Sequence, residues 1–417
     1  VIVVGAGAAG LVAAERAAAR GKRTLLLERN RKAGVKILMS GGTRCNLTQA
    51  TDRRGIVEAY GAAGRFLHSA LAALGPQELV ALVEEEGVPT KVEETGKVFP
   101  VSNRATDVLA AFLARLGRSG SELGLDESLV DLEQLDDGFR LVTSRRVLSA
   151  QSVIVTTGGQ SYPGCGTMGD GYRWARQFGH TIVQPRPALV PVTTSAEWVR
   201  SLSGITVSDV RLRLMEPADK ERSRDRGGEP EPCVLGTRQG SMLFTHFGLS
   251  GPVVLDISRE VSGHPRPNML WLECDFLPNE SAGQLDERLR KQAASEGKKQ
   301  LLSLVPEILP RRLAAALVTQ AALAGESKAG ELSKAGREAL VQVLKRLAIP
   351  VTGTRGFAKA EVTAGGISLD EVDSRSMQSK LVEKLYLAGE VLDLDGPIGG
   401  YNFQAAFSTG WLAGLKV

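Results

Sequence analysis

The spacing Gly5-x-Gly7-x-x-Gly10 lies between an apolar run, Val1–Val4, and an alanine-rich stretch, Leu11–Arg20. The apolar run reads as a buried parallel strand, and the alanine-rich stretch as a helix ending at Gly21. Thr24–Leu27 reads as a second strand, closed by Glu28. The glycine spacing alone is a weak signal, but between a strand and a helix it marks a dinucleotide-binding turn. The first glycine permits the tight turn, the second lets the backbone approach a pyrophosphate, and the third lets helix and strand pack closely. Gly5, Ala6, Gly7, Ala8, Ala9 and Gly10 are therefore expected around the phosphates, where the helix start offers N–H groups and partial positive charge. Glu28 follows Gly10 by 18 residues. A carboxylate there can accept from both ribose hydroxyls and repels a 2′-phosphate, which favours FAD or NAD over NADP.

The C-terminal segment separates those two. An NAD site is one contiguous unit, whereas FAD is longer and must also be held at its far end. Lys384–Leu387 reads as a strand that runs into Ala388-Gly389-Glu390, with a carboxylate for ribityl or pyrophosphate-side hydroxyls. Gly399-Gly400-Tyr401-Asn402 opens a helix towards Gly414, and its N-terminus can stabilise negative charge on a reduced flavin. Tyr401 to Gln404 are expected to touch the flavin through backbone N–H groups. Ser152–Thr156 is a further strand running into Thr157-Gly158-Gly159, where the backbone can pass close to the dinucleotide. These pieces point to FAD.

A chain of 417 residues is expected to hold two or three domains. Residues 1–187 read as the first part of the dinucleotide-binding domain, with a helix at Ala105–Leu116 and a meander at Leu129–Leu135, Gly138–Thr143 and Val147–Leu148. Residues 188–276 show short strands such as Val207–Met215 and Met242–Thr245 and read as a β-barrel-like insertion. Glu216–Pro232 within it reads as a charged, solvated loop. Residues 277–349 read as a small helical domain, with helices at Leu285–Ala294, Leu301–Ile308, Arg311–Ala324 and Gly336–Leu347. Residues 350–417 carry the return strand and complete the first domain. The expected fold class is thus α/β.

Composition narrows the function. Forty-three per cent hydrophobic and 24% charged residues exclude a disordered or collagen-like chain. A net charge of +4, without a basic stripe interleaved with aromatics, argues against nucleic acid as the main partner. Four cysteines without CxxC spacing fit a reducing compartment, and the chain is read as cytoplasmic. Four histidines without HxH or HExxH give no metal site. No apolar run reaches the roughly 18–20 residues of a membrane span. The chain opens at Val1 inside an apolar run without an initiator methionine, so a few residues are expected in front. The dinucleotide reading disfavours a cleaved signal peptide.

GAGAAG at 5–10, KILMSGGTRCN at 36–46, VFPVSNRA at 98–105 and TTGGQSYPGCGTMGDGY at 156–172 resemble one bacterial family. The likeness continues through MLFTHFGLSGP at 242–252, AEVTAGGI at 360–367 and LYLAGEVLDLDGPIGGYNFQAAFSTG at 385–410. This is the NAD(P)/FAD-dependent oxidoreductase family often labelled aminoacetone-oxidase-like, which includes a flavoprotein of bile-acid dehydroxylation. The resemblance implies non-covalent FAD in a glutathione-reductase-like domain, with a β-barrel insertion and a small helical domain. It places Lys36, Ser40, Gly41, Gly42, Arg44, Cys45 and Asn46 along the flavin and pyrophosphate, and adds Arg29 and Val130 to the cofactor-binding set. Arg44 can neutralise phosphate or reduced-flavin charge, while Cys45, without a partner cysteine, reads as a small packed residue. The family usually has a glycine where Thr43 stands, so the backbone of that loop is expected to differ. The Gly166–Gly171 stretch and Ser241 also depart from the usual pattern.

His246 is the one histidine in a family-like block, and is the candidate to protonate a substrate anion. The inserted stretch reads as β-barrel and helices with no second G-x-G-x-x-G unit for a nicotinamide domain, so NAD(P)H, if used, would bind transiently. The resulting expectation is hydride transfer between flavin and a small organic substrate lying between the FAD domain and the insertion. NAD(P)H or dioxygen would be the electron partner. The alternatives are a flavin-dependent RNA-modifying enzyme, a non-catalytic FAD-binding protein and an amine oxidase.

Overall fold

The computed structural model describes residues 1–218, 231–306 and 308–417. They form two compact units, one of Val1–Pro187 with Ala360–Val417 and one of Ala188–Lys359. Most of the expected loop Glu216–Pro232 lies outside the described residues.

The first unit is built on a five-stranded parallel sheet. Its strands are β1 (Ile2–Val4), β2 (Leu25–Leu27), β3 (Glu122–Gly124), β4 (Val153–Val155) and β5 (Leu385–Leu387), in the order β5-β4-β1-β2-β3. Strands this short can be apolar throughout because helices cover the faces of a parallel sheet; Val3, Leu26 and Ile154 are fully buried. The expected strands at 1–4, 24–27, 152–156 and 384–387 thus join one sheet, with the C-terminal strand at its edge. Helix α1 (Ala8–Ala19) packs against helix α2 (Tyr401–Lys416). The contact is backbone to backbone: a Cβ on Gly410 would lie 2.2 Å from the Ala9 carbonyl oxygen, and one on Gly414 would lie 2.4 Å from that of Ala13. The alanine run in α1 and the Gly410-x-x-x-Gly414 spacing in α2 are two sides of that close approach.

Smaller elements complete this unit. The meander is observed at Leu129–Leu135, Gly138–Thr143 and Val147–Ala150, and the apolar-faced helix at Ala105–Ser119. His180, beyond the helix Asp170–Gln177, is held by Glu371 at Nδ1 (3.1 Å) and by the Ser379 hydroxyl at Nε2 (2.9 Å). Burial pushes the His180 pKa below its ordinary value, outweighing the Glu371 carboxylate. An unfolded chain therefore takes up this proton at a higher pH than the folded one. Stability from this group is present above the ordinary histidine pKa of about 6.5 and is lost as pH falls through the folded value. Thermal melts between pH 7 and 5 should show a steeper fall for the wild type than for His180→Gln; parallel curves would contradict the assignment.

The second unit is a seven-stranded antiparallel sheet. Its order is Leu347–Pro350, Trp271–Asp275, Thr206–Glu216, Cys233–Thr245, Gly248–Ser250, Val192–Thr193 and Gly353–Thr354. Laid flat, six strand spacings would separate the outer strands by about 29 Å. Yet those strands follow one another in the chain, and the three steps from Pro350 to Gly353 span at most about 11 Å. The sheet must therefore curl round on itself, which accounts for the barrel-like expectation.

The helices Ala282–Ser295, Arg311–Gln320 and Lys334–Arg346 share one core with this sheet: Leu285, Leu313 and Leu340 join Leu212, Phe244 and Leu272. The expected separate helical domain at 277–349 is thus part of a single unit, which runs on to Lys359 through the strand Gly353–Thr354. The helix expected over Leu301–Ile308 is only a 3-10 turn at Leu301–Leu304 among the described residues. Val305, extended, precedes Pro306, and a proline biases its predecessor away from helix.

Candidate functional site: a dinucleotide cradle

The turn between β1 and α1 is closed by the Gly5 N–H bonded to the Leu27 carbonyl (2.8 Å). Thr156 ties it to β4, its hydroxyl bonded to the carbonyls of Val4 and Gly5, both at 2.9 Å. The three glycines differ in what surrounds them. A Cβ on Gly10 would lie 1.8 Å from the Gly5 carbonyl oxygen, and one on Gly5 would lie 2.7 Å from that of Thr156. A Cβ on Gly7 would meet nothing within 4 Å, and no side chain caps the helix there. An open concavity at an uncapped helix start fits a pyrophosphate.

Glu28, buried at the end of β2, accepts from the Ala6 N–H (2.9 Å) and from the backbone and side chain of Asn30 (both 2.8 Å). Burial raises its pKa against the lowering effect of those bonds. Oε1 already accepts both Asn30 bonds, while Oε2, with the Ala6 N–H as its one donor, has a second lone-pair direction left for a ribose hydroxyl. Arg29 pairs with Asp170 (2.6 Å) and donates to the Gly166 carbonyl (3.0 Å). These bonds fasten the Gly166–Gly171 loop to the end of β2. Val130 is exposed and its carbonyl accepts from Arg173 (2.5 Å).

A polar cluster lies between the 36–46 segment and the C-terminal strand. Lys36 Nζ donates to Glu390 (2.5 Å) and Ser161 (2.7 Å), and the Ser161 hydroxyl donates to Glu390 (2.6 Å). The Thr363 N–H completes the shell of Glu390 (2.9 Å), while the Thr363 hydroxyl accepts from the N–H groups of Gln160 and Ser161. Glu390 thus organises four chain segments. Gly389 abuts the first turn of α1: a Cβ there would come within 2.9 Å of the Ala9 Cβ. Thr157 Oγ1 is buried without a hydrogen-bond partner among the described residues, beside the Gly158-Gly159 turn. An orphaned hydroxyl and an open helix start on one sheet edge are what a dinucleotide would satisfy.

The segment Ser40–Asn46 leaves helical geometry at Ser40, and Gly41, Gly42 and Thr43 all take left-handed φ. Thr43, at φ +69°, keeps the conformation a glycine would take, at a cost of about 1–2 kcal/mol for a β-branched residue. Arg44 stacks on Phe99 (3.9 Å to the ring centre) and pairs with Glu93 (2.6 Å), so its charge is already partnered. Cys45 is fully buried and its thiol is pushed up to about 12 by desolvation, which makes it a packed residue.

Asn46, with its amide oriented to satisfy both ends, accepts from the Gly400 N–H (2.9 Å) and donates to the Thr48 carbonyl (3.0 Å). It thereby fixes Gly399-Gly400 at the start of α2, where no side chain caps the helix. Tyr60, buried, donates to the Tyr401 carbonyl (3.0 Å). Asn402 folds back onto Gly396 with bonds of 2.9 Å in both directions. Gln404 is not brought to the open face: it is fully buried, bonded to Thr48, Leu74 and Ser408, and its N–H is taken by the Gly400 carbonyl. Thr156, Ser161 and Thr363 escaped individual notice in the sequence; they lie inside the quoted TTGGQS and AEVTAGG blocks, which were their only signal.

The model of the HI0933-like protein Rossmann domain matches residues 1–416. This chain belongs to the HI0933-like family. It is 31% identical over 424 residues to the ribosomal RNA dihydrouridine synthase of Haemophilus influenzae, covering 100% of this chain and 98% of that protein. It is 30% identical to the Escherichia coli protein of the same name, covering 98% and 96%. Identity is also 30% to the 3-dehydro-bile acid delta(4,6)-reductase of Clostridium scindens, covering 99% and 97%. The family reading made from the motifs stands, and the HI0933-like chain described here is an FAD-dependent oxidoreductase.

His246 lies in the second unit, exposed at the tip of the hairpin joining Cys233–Thr245 to Gly248–Ser250. Its ring meets Phe247 edge-on at 4.9 Å.

Proposed function

We propose that this protein reduces a carbon–carbon double bond conjugated to a carbonyl within an organic ring, with NAD(P)H as the electron source. One observation carries the reading. Full-length relatives at nearly equal identity are named for two reactions that look unrelated. Both names describe the same bond change, because forming dihydrouridine and reducing a 3-oxo-Δ4,6 steroid each saturate a C=C next to C=O.

FAD, when bound, relays the two electrons as hydride between nicotinamide and substrate. The residues of the chain hold and orient it. The uncapped start of α1 takes the pyrophosphate, Glu28 the ribose, and the Gly399-Gly400 turn the ring end. Lys36 and Glu390 fix the 36–46 loop and the C-terminal strand against each other. His246 is our candidate for the proton that the substrate must gain at its second carbon.

The ring can be carried by a small molecule or by RNA. The absence of a basic stripe favours the first, and the two synthase relatives favour the second. The test is anaerobic: holoenzyme reduced with NADPH or NADH is mixed with cyclohex-2-enone, a 3-oxo-Δ4 steroid or a ribosomal RNA fragment, and flavin reoxidation is followed. Reoxidation by any of the three at least tenfold above the uncatalysed rate supports the reading. Reoxidation by dioxygen alone would overturn it.

A further inference from the structure

The strand Val192–Thr193, near one end of the seven-stranded sheet, pins two neighbours. On one side it pairs with Gly248 and Leu249, directly after Phe247; the Phe247 carbonyl also accepts from the Thr194 N–H (3.3 Å). The hairpin tip is tightened by the Thr245 hydroxyl on the Gly248 carbonyl (2.9 Å). On the other side it pairs with Gly353 and Thr354, and the Arg355 N–H bonds the Pro191 carbonyl (3.0 Å). The hydroxyls of Thr352 and Thr193 meet at 2.8 Å. Two loop residues, Phe247 and Arg355, are thereby held by one short strand.

The Arg355 guanidinium lies over the Phe247 ring, 4.7 Å from its centre. Arg355 is exposed, and no carboxylate pairs with it among the described residues. Arg211, Arg213 and Arg238 of the same unit behave otherwise, each facing an acid. His246 approaches the same ring from its edge. A planar cation fixed against an aromatic face keeps its N–H edge available for two parallel bonds to an oxyanion.

We propose that Arg355, Phe247 and His246 form a receptor for a planar oxyanion, with Arg355 as the residue that binds the negative oxygen. This rests on the conjugate reduction proposed above. In that reaction the hydride forms a C–H bond at the far carbon of the double bond. The C=C pair moves to the carbonyl carbon, and the C=O pair comes to rest on oxygen. A proton, assigned to His246, then restores C=O, and NAD(P)H has become NAD(P)⁺. The oxygen is anionic only between those two events. A preorganised, unpaired guanidinium stabilises that charge more than it stabilises the neutral carbonyl.

The test uses a stable mimic of the charged state. Holoenzyme is titrated calorimetrically with 4-cyanophenol above its ionisation pH and, separately, with 4-cyanotoluene, which has the same shape without the oxygen. The phenolate should bind at least tenfold tighter. Arg355→Met should erase that preference and Arg355→Lys should keep part of it, both with wild-type flavin content. A wild type that binds the two probes equally, or an Arg355→Met variant that retains the preference, would overturn the proposal. If the preference depends on Arg355 but no enone or RNA reoxidises the flavin, the reaction falls and the oxyanion site stands. Turnover without the preference gives the reverse.

Discussion

Gly10→Ala should cost the protein a large part of its stability, and Gly7→Ala should cost it mainly affinity for its cofactor. The two positions are three residues apart in one glycine motif. Their surroundings differ. A Cβ added at Gly10 would stand 1.8 Å from the Gly5 carbonyl oxygen and 2.7 Å from Thr156 Oγ1. That hydroxyl is already committed to two carbonyls of the turn, so neither atom can yield without parting α1 from β1 and β4. A loss of at least about 3 kcal/mol is expected, or a fall in melting temperature of roughly 6–12 °C. At Gly7 nothing stands within 4 Å and φ is −83°, a conformation open to any residue. The apoprotein of Gly7→Ala should melt within about 2 °C of wild type, while FAD affinity falls at least tenfold, about 1.4 kcal/mol. Melting curves of the apoproteins and FAD titrations separate the two effects. A Gly7→Ala protein that retains full FAD affinity would remove the pyrophosphate from this turn.

The second large effect is expected at Glu390. Its carboxylate accepts from Lys36, Ser161 and the Thr363 N–H, and the side chains of Glu390 and Lys36 are only 17% and 23% exposed. Glu390→Ala strands a mostly buried ammonium and two donors. Removing one partner of a buried pair costs about 3–5 kcal/mol; the residual exposure places this case near the lower end. Adding Lys36→Met to Glu390→Ala should recover a substantial part, since the charge left unpaired is then gone. The double-mutant cycle, measured by denaturant unfolding of the apoprotein, gives the coupling directly. Additive losses would mean that the two residues are held independently and that Glu390 does not organise the site.

The parts legible in the sequence were those written by local chemistry. Apolar strands, an alanine helix and a glycine spacing in GAGAAG specify a β-α-β unit from neighbours alone, and Glu28 follows at its proper interval. The C-terminal strand and turn were legible for the same reason. What stayed hidden depends on contacts between distant residues. Lys36 and Glu390 are separated by 354 positions, and nothing near either one announces the other. Arg44 looked available for a phosphate because its partner Glu93 arrives by tertiary packing. Gln404 stands one helical turn beyond Gly400, and periodicity does not reveal which face of a mostly buried helix meets a ligand. The helical segment 282–346 was read as its own domain because amphipathic helices carry no mark of what covers them; here it is the curled sheet.

The edge position of β5 also bears on how the molecule is made. Residues 1–28 leave the ribosome early, but the strand and helix that complete their sheet come at 385–416. At about 5–20 residues per second the phosphate turn waits roughly 20–75 s for its last partners. During that time the inserted residues 188–359 can form a closed unit by themselves, while β1 and α1 have exposed apolar surface and lack half of the cradle. Loading of the cofactor should therefore be a late event in biosynthesis, and nascent chains arrested before residue 385 should bind trigger-type chaperones in place of flavin.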